Sequence, residues 1–408
     1  MLATPELILE TAQFSRLREL LPRWSEVPLY RGALKGGDFF RLPLLGKSGL
    51  RRDFPENFLR AGQNLDALLD SQLVEVEHTS GTSEERTPVL FGRGWWNEQE
   101  ARVLRLNRWV ARVLDAHPRA RRATLTPPVC NGLVCFSNWQ SRSARTVENT
   151  LFANLARIPF LLGEPELARM AEEISDWSPQ FLDLDPVHGA WFALYCERLG
   201  IRFPSLQFIL CSYEFVSTVH RRILQRVFGV PIFNLYGATE TGHLLMENER
   251  GEMKPNYETA FYEVMEPDER GVGDLVVTTL TNDFMPLLRY RIGDLVERCE
   301  HPYATTYLVH GRVCDTLLRR DGRRVTARDV DECFSDVGGI AHYQLRQNAA
   351  GDCRLQYVPD SDGPVAEELH RVTAQLEHLL QLSKRPAAEL VTMLPPAPSG
   401  KFRLTRRA

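Results

Sequence analysis

No stretch of this 408-residue chain stays apolar long enough to cross a bilayer, so a membrane-spanning helix is not expected. The opening MLATPELILETAQF places Glu6 where a secretory signal would carry cations ahead of an apolar run. The eight cysteines show no framework spacing, which points to free thiols in a reducing cytoplasm. The close pairs Cys130/Cys135 and Cys299/His301 match no zinc pattern. Charge of one sign is also missing. The net value is −4 and the pI about 6.2, so no global field draws nucleic acid or an anionic membrane. The short basic cluster Arg119, Arg121 and Arg122 is read as solvated surface. No internal repeat or low-complexity tract interrupts the chain.

The content is that of a globular protein, 43% hydrophobic and 25% charged, and the length predicts two domains. Residues 5–21 read as a helix, 73–78 and TPVLFG as strands, and 97–115 as one helix with Val103, Leu106, Val110 and Leu114 on a face. From 181 to 245 the pattern is clearer. FLDLD is a strand, 187–199 a helix and LQFILC a buried strand. Ser217 caps a helix that Gly229 stops, and VPIFNLY is the next strand. Strand–helix–strand with short loops predicts a parallel sheet, whose ligands bind beyond the carboxyl ends of the strands. Ser212-Tyr213-Glu214 and Tyr236–Gly242 fall at such ends. Residues 256–310 read as short strands and turns, a barrel-like closing element. After Gly311 an α+β pattern begins, with a boundary near 313 and helices over Asp329–Phe334 and Val365–Leu382. The expected fold is therefore α/β: a large N-terminal domain (1–313) of parallel and mixed sheets with helices plus a small barrel-like element, and a small C-terminal α+β lobe (314–408).

Five local signals carry chemistry, each modest alone. Thr79-Ser80-Gly81-Thr82-Ser83 can wrap phosphate oxygens with backbone N–H groups, although such loops are often plain turns. In Tyr236-Gly237-Ala238-Thr239-Glu240, a lone carboxylate beside phosphates suits magnesium, while a helix cap with a solvated glutamate explains it equally well. Asp294, closing PLLRYRIGD, has the chemistry to accept two hydrogen bonds from a ribose diol, or to bond its own backbone in a surface turn. Arg312 lies in HGRVCD at the expected boundary. Lys401 ends Pro398-Ser399-Gly400-Lys401, a mobile point charge within reach of a phosphate or a solvated tail.

Taken in order, the hydroxyl–glycine loop, Y-G-x-T-E, R-Y-R-x-G-D, G-R-x-x-D and terminal P-x-G-K resemble the adenylate-forming superfamily of acyl-CoA synthetases and adenylation domains. NLYGATETG, PLLRYRIGD, the short length and the opening phrase PLYRGALKGGDFFRLPLLGKSGLRRDFPENF resemble its phenylacetate–CoA ligase-like branch. The resemblance covers essentially the whole chain.

It implies an enzyme that spends ATP to turn a carboxylate into an acyl-adenylate and pyrophosphate, then passes the acyl group to a thiol, usually coenzyme A. By similarity, Ser80, Gly81 and Thr82 lie on the β- and γ-phosphates, Thr239 on the α-phosphate, and Glu240 holds Mg2+. Ser212, Tyr213 and Glu214 match the adenine-side loop, Tyr236 the stacking aromatic, and Gly237 the turn between them and the phosphates. Asp294 and Arg312 match the ribose contacts. Lys401 matches the lysine that bridges substrate carboxylate and α-phosphate, on a lobe that rotates between the two half-reactions.

Three departures stand out. Thr82-Ser83-Glu84 replaces Thr-Thr-Gly, bringing Glu84 and Glu85 near a polyphosphate, with Arg86 as the offset. Cys314 occupies the hinge position, with Asp315 next. MENERGEMK supplies no zinc ligands, so no zinc is expected. Coenzyme A is the default acceptor; a carrier protein, an amine or another nitrogen nucleophile suits the same adenylate. An inactive nucleotide-binding homologue is the remaining alternative. The acyl pocket is assigned to Asn131, Phe136, Trp139, Phe215, Ala238 and His243, whose aromatics favour a planar or aryl acid. The expected partner is a small-molecule carboxylic acid, not nucleic acid or membrane; homodimers are common in the branch.

Overall fold

The computed structural model describes residues 5–36, 39–79, 86–127, 140–302, 304–360 and 363–407. Their contacts form two units. One contains the described residues up to Arg108 together with Leu235–Val309; the other contains Trp109–Asn234 and the chain from His310 onward.

In the first unit the helix Pro5–Trp24 precedes a hairpin of Val74–His78 and Pro88–Gly92. The expected helix over 97–115 is two, Trp95–Leu104 and Arg108–Ala116. The break is tertiary: fully buried Asn107 turns its side-chain amide to the Glu247 carbonyl, 2.8 Å away. The expected closing element is an antiparallel sheet in the order Ala260–Met265, Val272–Thr279, Tyr290–His301, Ala304–Arg312, Met253–Pro255, Gly242–Glu247. The order is open, not a closed ring. Its core includes Leu244, Leu245, Val277, Leu287, Tyr290 and Tyr307.

In the second unit Arg122–Leu125, Phe181–Leu184, Phe208–Cys211 and the start of Ile232–Ala238 run parallel. Both crossover helices are capped, the second as expected. Asp185 accepts from the Val187 and His188 N–H groups ahead of Pro186–Leu199, and Gly200 closes that helix at φ 66°. Ser217 caps Thr218–Phe228 by accepting from His220, and Gly229 ends it in the left-handed region. The C-terminal segment has its own four-stranded sheet, in the order Ala387–Leu390, Cys353–Pro359, Ile340–Gln347, Thr405–Arg407. Helices Ala327–Glu332 and Ala366–Leu380 accompany it. It packs on the helix Thr218–Phe228. Asp331 accepts from the Thr218 N–H at 2.8 Å, and Arg222 donates to the carbonyls of Phe334, Ser335 and Val337.

Candidate active site

The turn that joins Ile232–Ala238 to Gly242–Glu247 is a β-hairpin, not a helix cap. The two glycines have separate jobs. A Cβ on Gly237 would sit 2.3 Å from the Gly242 carbonyl oxygen, so the strands close only over a bare Cα. Gly242 takes φ +72°, and a Cβ there would press on Trp95 at 2.9 Å. The result carries Glu240 inward: it is 3% exposed, not solvated. Its Oε1 accepts from the Tyr290 hydroxyl at 2.7 Å and lies 3.7 Å from the Lys47 ammonium. Lys47 arrives because Leu45 pairs with the backbone around Tyr290, its N–H on the Arg289 carbonyl and its carbonyl on the Arg291 N–H. Arg289 itself holds the preceding segment, donating to the Leu42 carbonyl at 2.8 Å while pairing with Glu263 at 2.9 Å.

Asp294 is in the strand Tyr290–His301, not a turn. Gly293 just before it has φ +96°, which kinks the strand. The Tyr236 hydroxyl donates to Asp294 Oδ2 at 2.7 Å. The two residues expected to serve base and ribose are thus joined. Thr239 and Ala238 are half-buried at the hairpin tip, and the His243 ring lies 4.8 Å from that of Trp96.

In the second unit the Ser212 hydroxyl donates to Asp183 at 2.8 Å, and Tyr213 takes φ 74°, a left-handed conformation rare for an aromatic residue. That twist presents the Tyr213 carbonyl to Lys401, whose Nζ donates to it at 2.8 Å. Next door, the Phe402 N–H donates to the Glu214 carboxylate. Burial holds the Glu214 carboxyl well above its usual range, with Asp185 adding to the effect; Lys401, the Phe402 N–H and Arg312 pull it back. The expected adenine-side residue is therefore also a clamp for the Lys401 loop. Gly400 at φ 84° and the paired backbone of Ala397 and Lys401 tighten that loop, which Arg157 grips through the Pro398 carbonyl. Phe402 packs against Phe160, His188 and His342. Phe215 packs on the hydrophobic core of the unit. Cys314 is exposed as a residue, while partial desolvation of its sulfur, with Asp315 adding to the effect, raises its thiol pKa. Ser80, Gly81, Thr82, Glu84, Asn131, Phe136 and Trp139 lie outside the described residues.

No family model matches the chain. It is 26% identical to a phenylacetate–coenzyme A ligase of Thermus thermophilus, over 95% of this chain and 93% of that protein. The chain is thus similar over nearly its whole length to the phenylacetate–CoA ligase-like branch of the adenylate-forming superfamily. It is also 25% identical to the protein CapK of Staphylococcus aureus, over 48% of this chain and 45% of that protein. The fold matches 2-hydroxyisobutyryl-CoA ligase in a postadenylation complex with its acyl-AMP. There the TM-score is 0.70, with 16% identity across 93% of this chain and 85% of that one.

Two residues of this phenylacetate–CoA ligase-like chain escaped sequence reasoning. Lys47 and Tyr290 stand inside phrases that marked the resemblance, LPLLGKSGLR and RYRIGD, but neither was given a role. Their signal was only their company: a cation and a phenol beside motif glycines. The donor set also bears on the metal. Among the described residues no three His, Cys, Asp or Glu side chains gather as ligands. A single anchored carboxylate fits Mg2+, which keeps its waters and takes phosphate oxygens, better than a metal caged by protein.

Proposed function

We propose that the chain activates a small carboxylic acid with ATP to an acyl-adenylate and then forms a thioester, with coenzyme A as the acceptor. The observation that carries this reading is Lys401 on the Tyr213 carbonyl, with Phe402 clamped by Glu214. A solvated tail has no need of a strained tyrosine and a buried carboxylate to receive it. On this reading Lys401 bridges the substrate carboxylate and the α-phosphate, offsetting the repulsion of two anions as the C–O–P bond forms. Thr239 donates to the α-phosphate, and Arg312 and Asp294 hold the ribose. Tyr236 is oriented by its bond to Asp294 and offers its ring to the base. Ser80, Gly81 and Thr82 take the outer phosphates, and Ser212, Tyr213 and Glu214 border the adenine. Glu240 would hold Mg2+, kept in place by Tyr290; the ion supplies charge neutralisation at the phosphates. Residues 314–408 form the lobe that moves between half-reactions. Phe215, Ala238 and His243, with Asn131 and Phe136, line the acyl pocket, and their aromatic character favours an aryl acid.

A second acceptor reading rests on Cys314, where the family hinge carries aspartate or lysine. A hinge that turns poorly favours release of the adenylate to an amine, another nitrogen nucleophile or a carrier protein. ATP–pyrophosphate exchange with Mg2+ and a panel of aryl and short alkyl acids tests the adenylation. One acid should support exchange, and Lys401→Ala should lower it about 100-fold or more. No exchange with any acid overturns the reading. Acceleration of AMP release by coenzyme A, against hydroxylamine or a carrier protein, separates the acceptors.

A further inference from the structure

The C-terminal sheet sets three arginines side by side. Arg346 is the register partner of Arg354 on one neighbouring strand and of Arg406 on the other. Register partners point to the same face of a sheet, within about 5.5 Å of each other at the backbone. Like charges directly opposite each other destabilise a sheet, and no requirement of the fold calls for such a row. The face changes character along its length. His342, four residues before Arg346 and so about 13 Å away along the strand, is buried against the helix Thr218–Phe228. Arg354 and Arg406 at the other end are exposed.

The row forms the floor of an open groove of about 640 Å³, whose lining carries Arg346, Arg354, Lys384, Arg385 and Arg406 against one carboxylate, Asp352. Two cations have acidic partners nearby: Arg354 lies 3.5 Å from Glu389, and Arg385 3.0 Å from Glu377. Arg346 bonds to Gln344, an uncharged neighbour that orients the guanidinium without neutralising it. Arg346, Arg406 and Lys384 have no carboxylate partner among the described residues. Planar guanidinium forks at this spacing match adjacent phosphate groups. The volume is that of a site for a small molecule.

We propose that this arginine row binds the clustered phosphates of a small polyphosphate, at a site on the C-terminal sheet distinct from the Lys401 loop. The shared chemistry has two sources: the phosphorylated nucleotide end of coenzyme A, or a free polyphosphate such as pyrophosphate or ATP. The proposal stands on the sheet alone and does not need the adenylation reading.

The test is calorimetric titration of the full chain with pyrophosphate, ATP, coenzyme A and 3′-dephospho-coenzyme A, beside R346Q/R354Q/R406Q. The wild type should bind pyrophosphate, and the triple variant should bind it about 1,000-fold more weakly, because each guanidinium–phosphate pair contributes roughly tenfold. Exchange activity at saturating ATP should be unchanged. The melting temperature should be equal or higher, because a repulsive row has been removed. A preference for coenzyme A over its dephospho form assigns the site to the acceptor's nucleotide end; equal binding assigns it to free polyphosphate. Either supports the proposal. If the glutamine variant fails to fold, the triple lysine variant keeps the charge and loses the fork, and several-fold weaker binding is expected. Affinity for every phosphate ligand unchanged by either variant overturns the proposal.

Discussion

His220 and His342 meet ring to ring, Nε2 to Nδ1 at 3.1 Å, one from the helix Thr218–Phe228 and the other from the C-terminal sheet. Both are buried, and Phe160 and Phe402 flank His342. The charged group facing the pair is Asp185, which favours protonation of His220 but does not offset burial. Burial pushes His220 down to about 4, and it holds His342 well below its ordinary value, with His220 adding to the effect.

The sign of the pH dependence follows. With depressed imidazoles the unfolded chain takes up the protons first, so their contribution is complete above about 6.5 and is lost as pH falls toward 4. Burial raises Asp331 to about 6 and lifts Glu214, and both carboxyls act in the opposite direction. A difference measurement separates the two. His220→Phe/His342→Phe keeps two rings and removes the titration. Between pH 6.5 and 4.5 the wild type should lose roughly 2 kcal/mol or more relative to the variant in denaturant unfolding, His220 alone accounting for about that much. Parallel curves would show that the pair does not titrate in this range.

Gly237→Ala should break the hairpin that turns Glu240 inward. The new methyl meets backbone, the Gly242 carbonyl at 2.3 Å, and backbone does not rotate away as a side chain would. The expected cost is roughly 2 kcal/mol or more, read as a lower melting temperature. An unchanged melting temperature would mean that the hairpin closes differently.

The bond from Tyr236 to Asp294 links two residues that the proposed function assigns to one nucleoside. Tyr236→Phe keeps the ring and releases the carboxylate. The KM for ATP should rise about tenfold in steady-state exchange, with kcat little changed, because a hydrogen bond to a charged group is worth about 1.5 kcal/mol. A fall in kcat with constant KM would place the pair in the chemical step instead.

Cys314→Asp places at the proposed hinge the residue type that the resemblance leads one to expect. If lobe rotation limits the thiol half-reaction, transfer to coenzyme A should quicken several-fold in single-turnover assays. Adenylation should stay the same. No change in transfer, with transfer already fast, would show that this hinge turns as it stands.

Much of the fold was legible because local rules and tertiary structure agreed. Ser217 and Gly229 bracket their helix as the sequence predicts, since caps answer a local shortage of backbone partners. The helix expected over 97–115 failed for the opposite reason. Its periodicity is sound, but Asn107 breaks it to bond Glu247, a residue 140 positions away.

By itself the amino-acid order determined the strand–helix alternation, the two-glycine turn and the motif sequence that marks the adenylate-forming superfamily. Only the tertiary structure decided which charges meet. Lys47 beside Glu240, Lys401 on the strained Tyr213 carbonyl and Arg346 between Arg354 and Arg406 each depend on strand register or loop closure. Periodicity says which face a side chain takes; it does not say which distant side chain will stand opposite, because that is settled by pairing between strands far apart in the chain.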